Sequence, residues 1–207
     1  MTFPSRPGGY DTSKLVSASR RDCLIGVGFD RRRGNIPRFI GQLHYRSSTD
    51  PDIWKEIAQF DHNETSQTGH DIYREGLHVD VARRTSSAKQ LRGPHGTLDP
   101  NRGVVIRGYV DYFQAETAYF IDVYEERRSP GDPPTRSDGG DPTRSLSTLG
   151  AICGRMSWES APSNVDILTV NELTELIADA TDTTLGEIDR RAAAMDFGSP
   201  EEAATVD

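Results

Sequence analysis

The rhythm of apolar and polar positions changes along this chain. From Asp22 it is two: Cys23, Ile25, Val27 and Phe29 alternate with smaller or polar neighbours, the mark of a half-buried strand. Arg31 to Asn35 then reads as a turn with Gly34-Asn35 at its tip. A second strand places Phe39, Gly41, Leu43 and Tyr45 on one face and Ile40, Gln42, His44 and Arg46 on the other. A third, from Ile53 to Phe60, groups Trp54, Ala58 and Phe60; a fourth, Leu77 to Arg83, groups Leu77, Val79 and Val81. The expectation is an antiparallel four-stranded meander with one apolar and one mostly polar face.

Beyond a loop over Ser86 to Arg102 the spacing turns helical. Val105, Tyr109, Tyr112, Phe113, Phe120 and Val123 recur at intervals of three and four, which predicts one long helix ending near Arg127. Asp99 is placed to cap it, with Pro100 at its first position. Its aromatic stripe would lie on the apolar face of the sheet; a strand over Val104 to Tyr112 is the competing reading. The fold class expected is α+β, with the meander packed on that helix as a core domain over 22–128.

The flanks read differently. Met1 to Arg21 is polar and carries Pro4, Pro7, Gly8 and Gly9, which predicts a flexible arm. Ser129 to Arg144 combines several prolines, a Gly139-Gly140 pair and charges, the composition of a disordered linker. After it, a small helical segment over 145–197 is expected. Its helices run from Val170 to Ala180 and from Thr183 to Met195 around Leu173, Leu176, Ile177, Leu185 and Ile188, and an acidic tail over 198–207 follows.

Composition narrows the function. Only 34% of the 207 residues are hydrophobic, lean for a chain packed end to end, which agrees with the tails and linker. No apolar run approaches the roughly 18 residues that cross a bilayer, and the first residues lack the apolar stretch of a signal peptide, so a cytoplasmic protein is expected. Cys23 and Cys153 form no CxxC pair, and each reads as a small buried hydrophobe. A net charge of −8 argues against a broad electrostatic grip on nucleic acid.

The chemistry concentrates between Phe60 and Asp80. Three of the five histidines fall there, each beside an aspartate or two residues from one: Asp61-His62, His70-Asp71 and His78-Val79-Asp80. Imidazole with carboxylate performs general acid–base chemistry near neutral pH or holds a divalent metal. The spacing matches no metal signature such as HExxH, so neither a metal nor a cofactor is assigned.

Strand register narrows the cluster. With apolar faces aligned, Tyr45 falls opposite Trp54, Leu43 opposite Glu56, His44 opposite Lys55, Phe60 opposite Leu77 and Gln59 opposite His78. His44 then lies roughly 16 Å from His78, while His95 belongs to another loop. The candidate catalytic set is Asp61, His62, His70, Asp71, His78 and Asp80, around a loop running from Asp61 to Gly76. Arg83 and Arg84 are the candidate phosphate-binding residues.

The run Ile57-Ala58-Gln59-Phe60-Asp61-His62-Asn63, then Gly69-His70-Asp71, then Leu77-His78-Val79-Asp80-Val81, resembles the TumE-like toxins, small proteins of prokaryotic toxin–antitoxin pairs. The resemblance spans about residues 39–127. It implies an antiparallel sheet with a helix, an antitoxin-like protein partner and RNA as a target. On that reading His62 or His78 is the acid or base, Asp61 or Asp80 orients it, and the histidines drive transesterification at a ribose 2′-hydroxyl. A non-catalytic protein-binding module and a metal-dependent hydrolase are the alternatives.

Overall fold

The computed structural model describes residues 2–47, 53–92, 98–130, 166–195 and 205–206. It is α+β, with one mixed sheet. In chain order the strands are β1 (Thr12–Ser17), β2 (Cys23–Phe29), β3 (Arg38–Arg46), β4 (Trp54–Asn63), β5 (His78–Val81), β6 (Lys89–Arg92), β7 (Ile167–Leu168) and β8 (Thr205–Val206). They lie in the order β7-β1-β2-β3-β4-β5-β6-β8, antiparallel throughout except where β7 runs parallel to β1. The four-stranded meander expected is therefore the central part of a wider sheet.

The single long helix expected is two. α2 (Arg102–Ala115) and α3 (Thr117–Tyr124) meet at Glu116, whose ψ of 15° departs from helical geometry. The buried Thr117 hydroxyl donates to the Phe113 carbonyl at 2.6 Å, a side-chain bond that competes with the backbone ladder at the break. Helix, not strand, is the state of Val104 to Tyr112. Asn101 caps α2 by accepting from the Gly103 amide, and Asp99 instead buttresses Asn101 and pairs with Arg191.

Both helices lie on one face of the sheet. Val16, Cys23, Ile25, Val27, Phe29, Phe39, Leu43, Phe60, Val79 and Val81 form a core with Val105, Tyr109, Phe113 and Phe120. Phe60 is its centre, with ring centroids 4.2 Å from Tyr109 and 5.3 Å from Phe113. Gly41, directly across on β3, leaves room for that ring: a Cβ there would come within 2.2 Å of it. Gly41→Ala overpacks this point and is expected to destabilise the protein by about 1–3 kcal/mol, read as a lower urea midpoint at unchanged slope.

The helices expected after the linker share this core. In α4 (Val170–Thr181), Leu173 and Ile177 are buried; in α5 (Leu185–Ala193), Ile188 is. Ile177 sits so close to Gly103 of α2 that a Cβ there would meet it at 2.4 Å. A capping box, Thr169 with Glu172, starts α4, and Asp182 in the left-handed region ends it. The expected disordered linker lies outside the described residues from 131 onward, as do Cys153, His95 and most of the acidic tail. Cys23 is buried. Among the described residues no helix is long and apolar enough to cross a membrane.

Two register corrections matter for the site. Leu43 pairs with Ala58 but His44 with Glu56, so Ile57 is an extra residue, a bulge. Ile57 and Ala58 are consequently both buried, and Tyr45 faces Lys55 instead of Trp54. On the next strand Gln59 faces Asp80, two residues beyond the His78 pairing that alternation gives. The Ala82 amide donates to the Ile57 carbonyl at 2.9 Å and fixes β5 at the bulge. An offset of two preserves which face each side chain takes.

The N-terminal arm is not loose. Thr12–Ser17 is a strand because Leu15 and Val16 bury opposite faces, a pattern that alternation does not reveal. Ahead of it the chain crosses the polar face of the sheet as a strap. Pro4 and Pro7 are buried, the Ser13 hydroxyl donates to the Pro7 carbonyl at 2.6 Å, and the Trp54 indole donates to the Thr2 carbonyl at 2.9 Å. Gly26 and Gly28 make the approach feasible, since a Cβ on Gly28 would sit 2.7 Å from the Tyr10 ring. The Arg38 guanidinium covers that ring at 4.3 Å.

Candidate functional site

The strap covers β2 and reaches the start of β4 at Trp54, while on the polar face beyond it the polar residues of β4, β5 and β6 are partly or fully exposed. Strand alternation brings Gln42, Glu56, Gln59, Asp61, His78, Asp80 and Gln90 onto this face. The β4–β5 pairing ends at Gln59 and Asp80, and beyond it Asp61 and His78 lie close enough for each to feel the other's charge. Gln42 donates to Glu56 at 2.5 Å, which ties β3 to β4 beside them.

His70 joins from the segment between β4 and β5, which is folded tightly back on itself. The Asn63 amide donates to the His70 carbonyl at 2.7 Å, and Gly69 packs so closely on the Asn63 carbonyl that a Cβ would meet it at 2.3 Å. Four residues then form a short helix, α1 (Ile72–Glu75), anchored by buried Ile72. The long open loop expected is thus a compact turn. It holds the His70 ring with Nδ1 3.2 Å from the Asp61 carbonyl and Nε2 3.0 Å from that of Gly76. Both ring nitrogens thus lie within hydrogen-bond reach of a backbone carbonyl, which fixes the plane of the ring.

The His70 and His78 rings lie 4.3 Å apart, tilted by 36°. The Gln90 amide donates to His78 Nε2 at 3.2 Å, so neutral His78 carries its proton on Nδ1. Asp80 Oδ1 stands 3.9 Å from the same nitrogen. Burial, and then the neighbouring His70, lower the His78 pKa below the ordinary histidine value. Burial raises Asp61 above the usual carboxylate range, against the pull of His70 and His78. The open face therefore combines a neutral imidazole at pH 7 with a carboxyl that takes a proton more readily than most. No family model, curated protein or solved structure matches the chain.

Four of the six residues expected to cluster do so: Asp61, His70, His78 and Asp80. His62 does not. It is the last but one residue of β4, points to the opposite face and is 0% exposed. Its ring packs 5.2 Å from Phe39 and edge-on to Tyr73; Nδ1 accepts from the Ile72 amide, and Nε2 faces Glu64 at 3.6 Å. Burial lowers its pKa. Glu64 in turn bonds Arg102 of α2 at 2.5 Å, so His62 helps to fasten the turn to the helix layer. Asp71 caps α1 by accepting from the Tyr73 amide at 3.0 Å.

Arg83 and Arg84 follow the far end of β5, roughly 16 Å from His78 at about 3.3 Å per residue. Arg84 is paired with Glu125 at 3.3 Å, while Arg83 Nε is buried without a hydrogen-bond partner among the described residues. Two residues near the cluster escape a reading from alternation alone: Tyr10 of the strap, and Arg38, which holds it. The field of Asp61 acts on the Tyr10 phenol, whose pKa burial raises. The Gly26-Val27-Gly28 repeat was the available signal, since two small residues on one strand face invite a covering segment. Among the described residues no three His, Cys, Asp or Glu side chains converge as ligands for a metal ion.

Proposed function

We propose that the open face acts on RNA, with His78 as the proton acceptor for attack by a ribose 2′-hydroxyl on the adjacent phosphate. The observation that carries this reading is the pairing of the His70 and His78 rings at 4.3 Å beside Asp61 on an exposed sheet face. RNA supplies its own nucleophile, so a base, a proton donor and a stabilised phosphate are sufficient chemistry. His78 takes the hydroxyl proton on Nε2 as the RNA displaces the Gln90 amide from that nitrogen, and the Asp61 carboxyl, whose hold on a proton burial strengthens, is the donor to the departing 5′-oxygen. His70, held between two carbonyls, faces the phosphate, and Asp80 steadies His78. The oxygen–phosphorus bond to the 2′ position forms as the bond to the 5′-oxygen breaks.

A toxin–antitoxin or defence role, with an antitoxin-like protein partner, accompanies this reading through the resemblance of the Asp61 to Val81 segment. The chemistry has a specific signature. Incubation of the full chain with a single-stranded RNA is expected to leave 2′,3′-cyclic phosphate and 5′-hydroxyl ends, resolved by mass spectrometry, and an all-deoxy strand should stay intact. Cleavage of the deoxy strand, or 5′-phosphate ends on the RNA, would sink the mechanism.

A further inference from the structure

The strongest unassigned feature lies at the other end of the same face. The β1–β2 turn carries Arg20 and Arg21, and β3 ends at Arg46, whose amide donates to the Asp22 carbonyl at 2.8 Å. These residues line an open depression of about 400 Å³ formed by Arg20, Arg21, Asp22 and Arg46. Asp22 is occupied: both its carboxylate oxygens accept from Arg20, at 2.9 and 2.8 Å. Three guanidinium groups thus meet one carboxylate in a chain whose net charge is −8.

Trp54 borders it. Arg46 and Trp54 are cross-strand partners, and the guanidinium lies over the indole at 5.3 Å. The stack orients Arg46 without consuming its hydrogen-bond donors, which leaves them for an acceptor arriving from solvent. From Trp54 the face continues along β4, past Gln59, to Asp61 and His78, roughly 20 Å at about 3.3 Å per residue.

We infer that Arg21 and Arg46, with Arg20 behind them, bind the phosphate backbone of a single-stranded RNA whose scissile linkage lies at His78. This rests on the proposed reading of the open face and adds to it the place where the strand is gripped. Guanidinium forks match phosphate oxygens in geometry as well as charge, and an aromatic ring beside them suits an unpaired base. The binding follows phosphates and is therefore indifferent to sequence.

The test uses the full chain, a fluorescent single-stranded RNA of about twelve nucleotides, a length within reach of single-strand-binding surfaces, and the double variant Arg21→Glu with Arg46→Glu. Affinity is expected to fall about tenfold or more, and the slope of log affinity against log salt to shrink by about one per arginine removed. Cleavage at saturating RNA should keep its wild-type rate, and far-ultraviolet circular dichroism should be unchanged. A milder pair, Arg21→Gln with Arg46→Gln, guards against a folding defect and should lose affinity in the same direction. Wild-type affinity and salt slope in both pairs would overturn the inference while leaving the cleavage mechanism standing. Weakened binding with no cleavage by the wild type would keep the phosphate grip and remove the proposed chemistry.

Discussion

Replacing His78 with alanine is expected to slow RNA cleavage by about 10²–10⁴-fold, the usual worth of a positioned general base. The loss should appear in the single-turnover rate and not in RNA affinity, because the arginine depression lies at the far end of the face. His78 opens β5 and is only partly buried, so its removal leaves the core intact. The urea midpoint should therefore stay within about 0.5 kcal/mol of wild type. The wild-type pH profile offers an independent check. His78 must be unprotonated to accept a proton, and its pKa lies below the ordinary value, so the acid limb of the rate should fall below about pH 6.5. A rate unmoved by His78→Ala would remove the cluster from the mechanism.

The faces of the strands were legible because burial enforces alternation. Phe39 to Leu43 follow it, whereas every residue of β2 is buried because the strap covers its second face, and alternation was enough to place His78 and Asp80 on one side with Asp61 at the end of the neighbouring strand. Alternation fails at Ile57, where one extra residue shifts the register, and no residue type there announces a bulge. The failure reaches His62. Reading β4 as ending at Phe60 put His62 in a loop, whereas two further residues of strand turn it into the core beside Phe39. Pairing with Phe39 decides its face, and that pairing is a long-range fact.

The N-terminal strap was illegible for a different reason. Pro4, Pro7, Gly8 and Gly9 have the composition of a disordered segment, and what orders them is a tertiary partner. That partner is the groove left by Gly26 and Gly28, closed by the Arg38 and Tyr10 stack. The last helices illustrate the same limit. Leu173, Ile177 and Ile188 announced a small core, but only the contact of Ile177 with Gly103 shows that it is continuous with the main one.

The strap also creates a large expected effect of acid pH on stability. His44 is 7% exposed beneath it, and Nε2 has no hydrogen-bond partner among the described residues. The space over Gly26 is shared between that nitrogen and the Pro7 ring, which would stand 3.1 and 3.2 Å from a Cβ there. Glu56 is its cross-strand neighbour. Burial alone lowers the His44 pKa from 6.5 to about 4. The unfolded chain then binds a proton near pH 6.5 that the folded chain refuses until about pH 4. Stability from this group is complete above pH 6.5 and is lost as pH falls through that window, by about 3 kcal/mol at its lower end. His62 and His78, also lowered, add to the same slope, and Asp61, raised, opposes it. A difference measurement cancels all three. His44→Leu removes the titrating group and keeps an apolar filling under Pro7. Urea midpoints of the two proteins, followed from pH 7 to pH 4, should diverge, with wild type losing about 3 kcal/mol more than the variant. Parallel curves would mean that His44 finds a proton acceptor as the strap lifts, and that burial under Pro7 does not control its charge.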